Sequence, residues 1–105
     1  MLNVPLARDT DGEEFRTVVR ELWMPRLREF QPEMILVSAG FDAHEDDPLA
    51  ELRLTEDDFS FATTAIAALA KKHCRGRLVS TLEGGYDLAA LGRSAAAHVA
   101  ALMAA

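Results

Sequence analysis

The strongest constraint in this sequence is a pair of short apolar runs, Met34-Ile35-Leu36-Val37-Ser38 and Leu78-Val79-Ser80-Thr81-Leu82, with one long amphipathic segment between them. Each run is too short for a helix and follows turn-forming residues, Gln31-Pro32-Glu33 in one case and Gly76 in the other, so each reads as a strand. The first is apolar until Ser38 and is expected to be buried on both faces. The intervening segment opens with Thr55-x-x-Asp58, a helix-starting pattern, and carries Phe59, Ala62, Ile66, Leu69 and Ala70 along one stripe. Lys71, Lys72 and His73 fall in its last turn, where cations suit the helix dipole, and Gly76 stops it. Strand, helix and strand in that order require parallel strands joined by a crossover, so the fold class is α/β.

The flanks add helices. Thr10-x-x-Glu13 fits a capping box, and Phe15, Val18, Val19, Leu22, Leu27 and Phe30 follow at mostly helical spacing, with Pro25 expected to kink or restart the helix. Leu2 to Leu6 reads as a short edge strand, since Pro5 excludes it from a sheet centre. The Ala-rich tail, Ala89 to Ala105, reads as a last helix capped by Asp87. A chain of 105 residues makes one domain, spanning 1–105.

Composition removes several function classes. The net charge of −6 argues against direct nucleic-acid binding, which needs a basic surface. The charge is uneven: 15 of the 17 acidic residues and 6 of the 11 basic ones lie within residues 1–58. That asymmetry reads as a solvated acidic surface. The apolar run from Met34 to Phe41 is far too short to cross a membrane. The opening residues carry neither a basic region nor a long apolar stretch, so no signal peptide is expected. A single cysteine, Cys74, excludes an internal disulfide and a multi-cysteine zinc cluster, and a cytoplasmic location is expected.

In open parallel sheets, ligands bind just beyond the carboxyl ends of the strands. Two Gly-containing turns fall there, Ser38-Ala39-Gly40-Phe41-Asp42-Ala43-His44 and Glu83-Gly84-Gly85-Tyr86-Asp87. If the strands are neighbours, Asp42 and Tyr86 converge on one rim. Asp42 leaves an apolar strand, where a carboxylate must be paired, capped or bound to a metal. Pattern alone favours a cap or ion pair for it, and a capping role for Tyr86 is as good as a catalytic one. Asp42-x-His44 is a weak ligand pattern, and His44 alone reads as a loop hydrogen-bonder. His73, Cys74 and His98 read as structural or exposed. Gly84-Gly85 permits close approach of a ligand, but the spacings of phosphate-binding loops are absent. A small-molecule or phosphate binder of flavodoxin-like layout is the weakest of the readings that pattern leaves open.

The ordered set Asn3-Val4-Pro5-Leu6, Leu36-Val37-Ser38-Ala39-Gly40-Phe41-Asp42-Ala43-His44, Asp47-Pro48-Leu49 and Leu82-Glu83-Gly84-Gly85-Tyr86-Asp87-Leu88 resembles the C-terminal part of the zinc-dependent histone deacetylase and acetylpolyamine amidohydrolase family. The resemblance implies a fragment of the three-layer, parallel-sheet arginase/deacetylase fold, with a metal site at the strand ends. By resemblance Asp42 matches a zinc-ligating aspartate, and Tyr86 the tyrosine that hydrogen-bonds the substrate carbonyl. Leu49 matches a residue lining the acyl-lysine tunnel, and Gly84 and Gly85 the turn beside it, with the Gly84 carbonyl placed to accept the substrate amide N–H. His44 matches no ligand of the family.

The implied reaction is hydrolysis of acetyl-lysine, acetylpolyamine or a similar acetylamide by zinc-activated water. The family's other ligands and its His-His pair have no counterpart in this chain. Its 105 residues are therefore expected to supply only part of a site and to be inactive alone. The alternative is a non-catalytic interaction module derived from a truncated deacetylase. Uncovered sheet edges and helix faces are expected to make the chain a homo-oligomer.

Overall fold

The computed structural model describes residues 1–105. Its elements are α1 (Gly12–Val18), a π-helical turn (Val19–Trp23), α2 (Met24–Phe30), β1 (Ile35–Ala39), α3 (Glu56–His73), β2 (Leu78–Leu82) and α4 (Leu88–Met103). β1 and β2 pair in parallel, with Ile35 opposite Leu78 and Ala39 opposite Leu82. The expected strand–helix–strand unit is present. Residues 2–6 form no strand. No helix is long and apolar enough to cross a membrane.

The first helix starts one residue later than the Thr10-x-x-Glu13 pattern predicts. Thr10 donates its hydroxyl to the Ala7 carbonyl at 2.6 Å and so stays within the preceding turn. Asp11 caps instead, accepting from the Glu14 N–H at 3.0 Å. Further on, Pro25 has no N–H to give the helix ladder, and the turn before it widens: the Met24 N–H reaches back five residues to the Val19 carbonyl. One extra residue rotates the following helix by about 100° relative to the first. Val19 and Met24 therefore both face the core, while Leu22, which the unbroken period places inside, is exposed.

α3 opens as expected, with reciprocal hydrogen bonds between Thr55 and Asp58. The buried Asp58 carboxylate also pairs with Arg16 of α1. Phe59, Ala62, Leu69 and Ala70 are buried, and α4, capped by Asp87, packs along α3. Cys74 is fully buried and donates to the Pro32 carbonyl at 3.0 Å.

The expectation that β1 is buried on both faces is not met. Ile35 and Ala39 are buried under the helices, while Leu36 is 73% exposed. Its partner in register, Val79, is 52% exposed. Val37 and Ala39 line an apolar cavity of about 190 Å³ together with Phe15, Phe59, Ile66 and His98, which puts α1, α3 and α4 on the same side of the sheet. The chain thus has one helical layer and one sheet layer, and its own elements leave the second sheet face bare.

Candidate active site

The two turns predicted from sequence leave adjacent parallel strands and are bonded to one another. Glu83 N–H donates to the Ala39 carbonyl at 2.9 Å, and Phe41 N–H to the Gly84 carbonyl at 2.8 Å. A third bond ties the Tyr86 N–H to Asp47 Oδ2 at 2.8 Å. The strand ladder is in effect extended into the loops.

Phe41 fixes the first turn. Its ring is buried edge-on against Phe59, with centroids 5.1 Å apart, and near His98. The next residue, Asp42, turns away from the core towards the second turn. A Cβ built on Gly84 would lie 3.1 Å from the Asp42 carboxyl carbon, and one on Gly40 would lie 3.2 Å from its Oδ1. The part-buried carboxylate therefore lies in a cradle between two glycines. It enters none of the chain's hydrogen bonds or ion pairs, so neither the cap nor the ion pair suggested by pattern applies.

Gly85 is needed for a different reason. Its φ is +142°, and a Cβ there would meet the Leu91 side chain at 2.8 Å. Beyond it, Tyr86 is half-exposed, as is Leu49 on the facing loop. The Gly84 carbonyl already accepts from Phe41, so any substrate N–H would have to use its second lone pair.

His44 does not join Asp42. The Phe41–His44 segment is a turn, with the His44 N–H on the Phe41 carbonyl at 3.3 Å, and the imidazole is 2% exposed. Its Nδ1 accepts from the Asp46 N–H at 3.0 Å, which leaves the proton on Nε2, 3.3 Å from Glu56 Oε1. Glu56 in turn receives Arg93 Nε at 2.5 Å, and Arg93 Nη2 reaches Asp46 at 3.2 Å. The Arg93 hydrogen bond, with help from the helix backbone and His44, holds the Glu56 carboxyl down to about 2. This cluster clamps the loop to α3 and α4. Glu56, Arg93 and Asp46 carry no motif, and only their long-range proximity reveals them.

His98 is structural, as expected. The Thr63 hydroxyl donates to the Phe59 carbonyl, so it accepts from His98 Nδ1 at 2.8 Å, and Nε2 accepts from Ser80. Burial pushes this imidazole below its ordinary pKa.

The chain gathers no group of three metal-ligating side chains. What it offers a metal is one carboxylate without a partner, held between glycines beside a turn that presents a phenol. That donor set fits one ligand position of a zinc site with an open coordination position.

A parallel α/β layer with its chemistry at the strand ends defines the class, and comparison with known proteins gives the family. A model of the histone deacetylase domain matches residues 1–102. The chain is 44% identical over 102 residues to histone deacetylase 14, chloroplastic, of Arabidopsis thaliana, covering 97% of this chain and 24% of that protein. It is 40% identical over 106 residues to type-2 histone deacetylase 2 of Dictyostelium discoideum, covering 98% of this chain and 6% of the relative. Among solved structures, the HDA15 HD domain superposes with a TM-score of 0.90 at 30% identity, over 98% of this chain and 28% of that one. The chain belongs to the histone deacetylase family. It spans about a quarter or less of the length of these relatives.

Proposed function

We propose that this chain supplies one wall of a zinc-dependent deacetylase site that hydrolyses acetyl-lysine, acetylpolyamine or a similar acetylamide. The observation that carries the reading is the unpartnered Asp42 carboxylate, cradled against Gly84 in the turn that bears Tyr86. Asp42 would hold the metal, which when bound polarises the amide carbonyl and lowers the pKa of its water. The Tyr86 phenol donates a hydrogen bond to the carbonyl oxygen as negative charge builds there. Leu49, Gly84 and Gly85 form the side of the acyl channel, where two glycines let the substrate lie close to backbone.

One carboxylate does not hold zinc tightly, and the three histidines, His44, His73 and His98, include no adjacent pair to serve as base and acid. The 105-residue chain with added zinc should therefore leave an acetyl-lysine peptide intact. The positive test is a chimera in which this chain replaces its counterpart in the Arabidopsis relative. Zinc-dependent hydrolysis is expected. Tyr86→Phe should lower turnover by about 10²–10³ at unchanged zinc content, and Asp42→Asn should lower zinc content itself. A zinc-loaded chimera indifferent to Tyr86→Phe would refute the assignment.

The bare sheet face favours a second reading, a non-catalytic module that pairs with a copy of itself. Leu36 and Val79, opposite one another in register and both exposed, leave apolar area that a second copy would cover. Light scattering on the chain alone is expected to report a dimer or larger species, and a stable monomer would count against this reading. The buried thiol of Cys74 is in keeping with a reducing, cytoplasmic setting.

A further inference from the structure

We infer that Asp47 is a positioning residue that sets the gap between the Tyr86 phenol and the channel wall at Leu49. The inference rests on the deacetylase reading of the site. Asp47 is 8% exposed, and each of its carboxylate oxygens is occupied by a different backbone N–H. Oδ1 accepts from Leu49 at 2.9 Å, and Oδ2 accepts from Tyr86 at 2.8 Å.

The first bond is local, an Asx turn two residues long that shapes the Asp47-Pro48-Leu49 loop. The second crosses from the loop after β1 to the turn after β2. One rigid, planar group therefore fixes two backbone points, one in the loop after β1 and one in the turn after β2. No other side chain bonds the Tyr86 backbone N–H.

A carboxylate is the group that can do this. It presents acceptors only, whereas an amide of the same shape presents one acceptor and one donor. Asp47→Asn can satisfy one of the two N–H groups and must turn its NH₂ on the other. The local turn is the easier bond to keep, since closing a loop of two residues costs little. The bond released is the one to Tyr86. The charged acceptor also makes the native bonds stronger than neutral ones.

The test has two arms. In the 105-residue chain, Asp47→Asn should speed hydrogen exchange at the Tyr86 amide by about tenfold or more. The amides of Ala67 and Ala70 in α3, which report whether the variant is folded, should be unchanged. If the variant loses those as well, the unmodified chain still decides: a through-hydrogen-bond coupling from the Tyr86 amide nitrogen to the Asp47 carboxyl carbon is expected. Unchanged Tyr86 exchange in a folded variant, or no coupling in the native chain, overturns the clamp.

The second arm uses the chimera described above. A residue that works through Tyr86 loses its effect once the phenol is gone. Asp47→Asn should lower kcat in the Tyr86 background and add nothing to Tyr86→Phe. Additive losses would mean a general structural role and overturn the inference. A chimera inactive with both residues intact counts against the deacetylase reading instead, and the exchange result stands apart from it.

Discussion

A single methyl group at Gly84 would crowd the carboxylate that makes this rim chemically interesting, since the built Cβ falls 3.1 Å from Asp42 Oδ2 and the carboxylate must give by a few tenths of an ångström. Gly84→Ala should therefore shift the Asp42 carboxylate and reduce zinc content in the chimera, while urea unfolding of the chain changes by less than about 1 kcal/mol, because the carboxylate has no partner in the chain to lose. Gly40→Ala, with one contact at 3.2 Å, should do less. Residues at this scale were legible where they sit on local signals. The positions of Asp42 and Tyr86 were readable, because they stand on glycine turns directly after apolar runs. The reach of Asp47 to Tyr86 and of Glu56 to Arg93 was not legible, because each joins segments far apart in the chain.

The helices hold the site through a few polar contacts, and these make the elements sensitive to pH and to capping. Asp58 serves the Thr55 N–H, the Thr55 hydroxyl and Arg16 at once while 2% exposed. Asp58→Ala should lower stability by at least about 2 kcal/mol, read as a shift in the urea midpoint at unchanged slope.

Two further groups set the acid response. His98 has its pKa lowered in the folded state, so the unfolded chain takes up the proton first. Its contribution is intact above the ordinary value of 6.5 and is lost as pH falls below it. Glu56, held down to about 2, contributes above 4.5 and is lost between those values. Melting temperature should fall in these two windows on acidification. His98→Gln should remove part of the first slope and Glu56→Gln part of the second. Element order and the caps at Thr55 and Asp87 were readable from sequence. The phase of the first helix was not, because the widened turn ahead of Pro25 breaks the period on which the reading of Leu22 depends.

For the whole molecule, the α/β class followed from the order of strand, helix and strand, and the bare sheet face did not. The run Met34 to Ser38 is as apolar as a strand covered on both sides, but periodicity carries no information about whether this chain also provides the second cover. Leu36→Glu places a charge on that face without touching the core. It should therefore shift light-scattering mass towards the monomer while leaving the melting temperature of the monomeric chain little changed.

The pairing of β1 with β2 has a consequence for chemistry as well as for folding. Both turns are launched from the last rungs of this ladder, Ser38 opposite Thr81 and Ala39 opposite Leu82. Each rung advances about 3.3 Å. If one strand slid by the smallest step that keeps its inward side chains inward, about 6.6 Å, the two turns would part company, and under the proposed deacetylase reading the acid and the phenol would no longer serve one substrate. Ile35 under the helices, opposite Leu78, thus sets the alignment of atoms at the far end of the strands that it never touches.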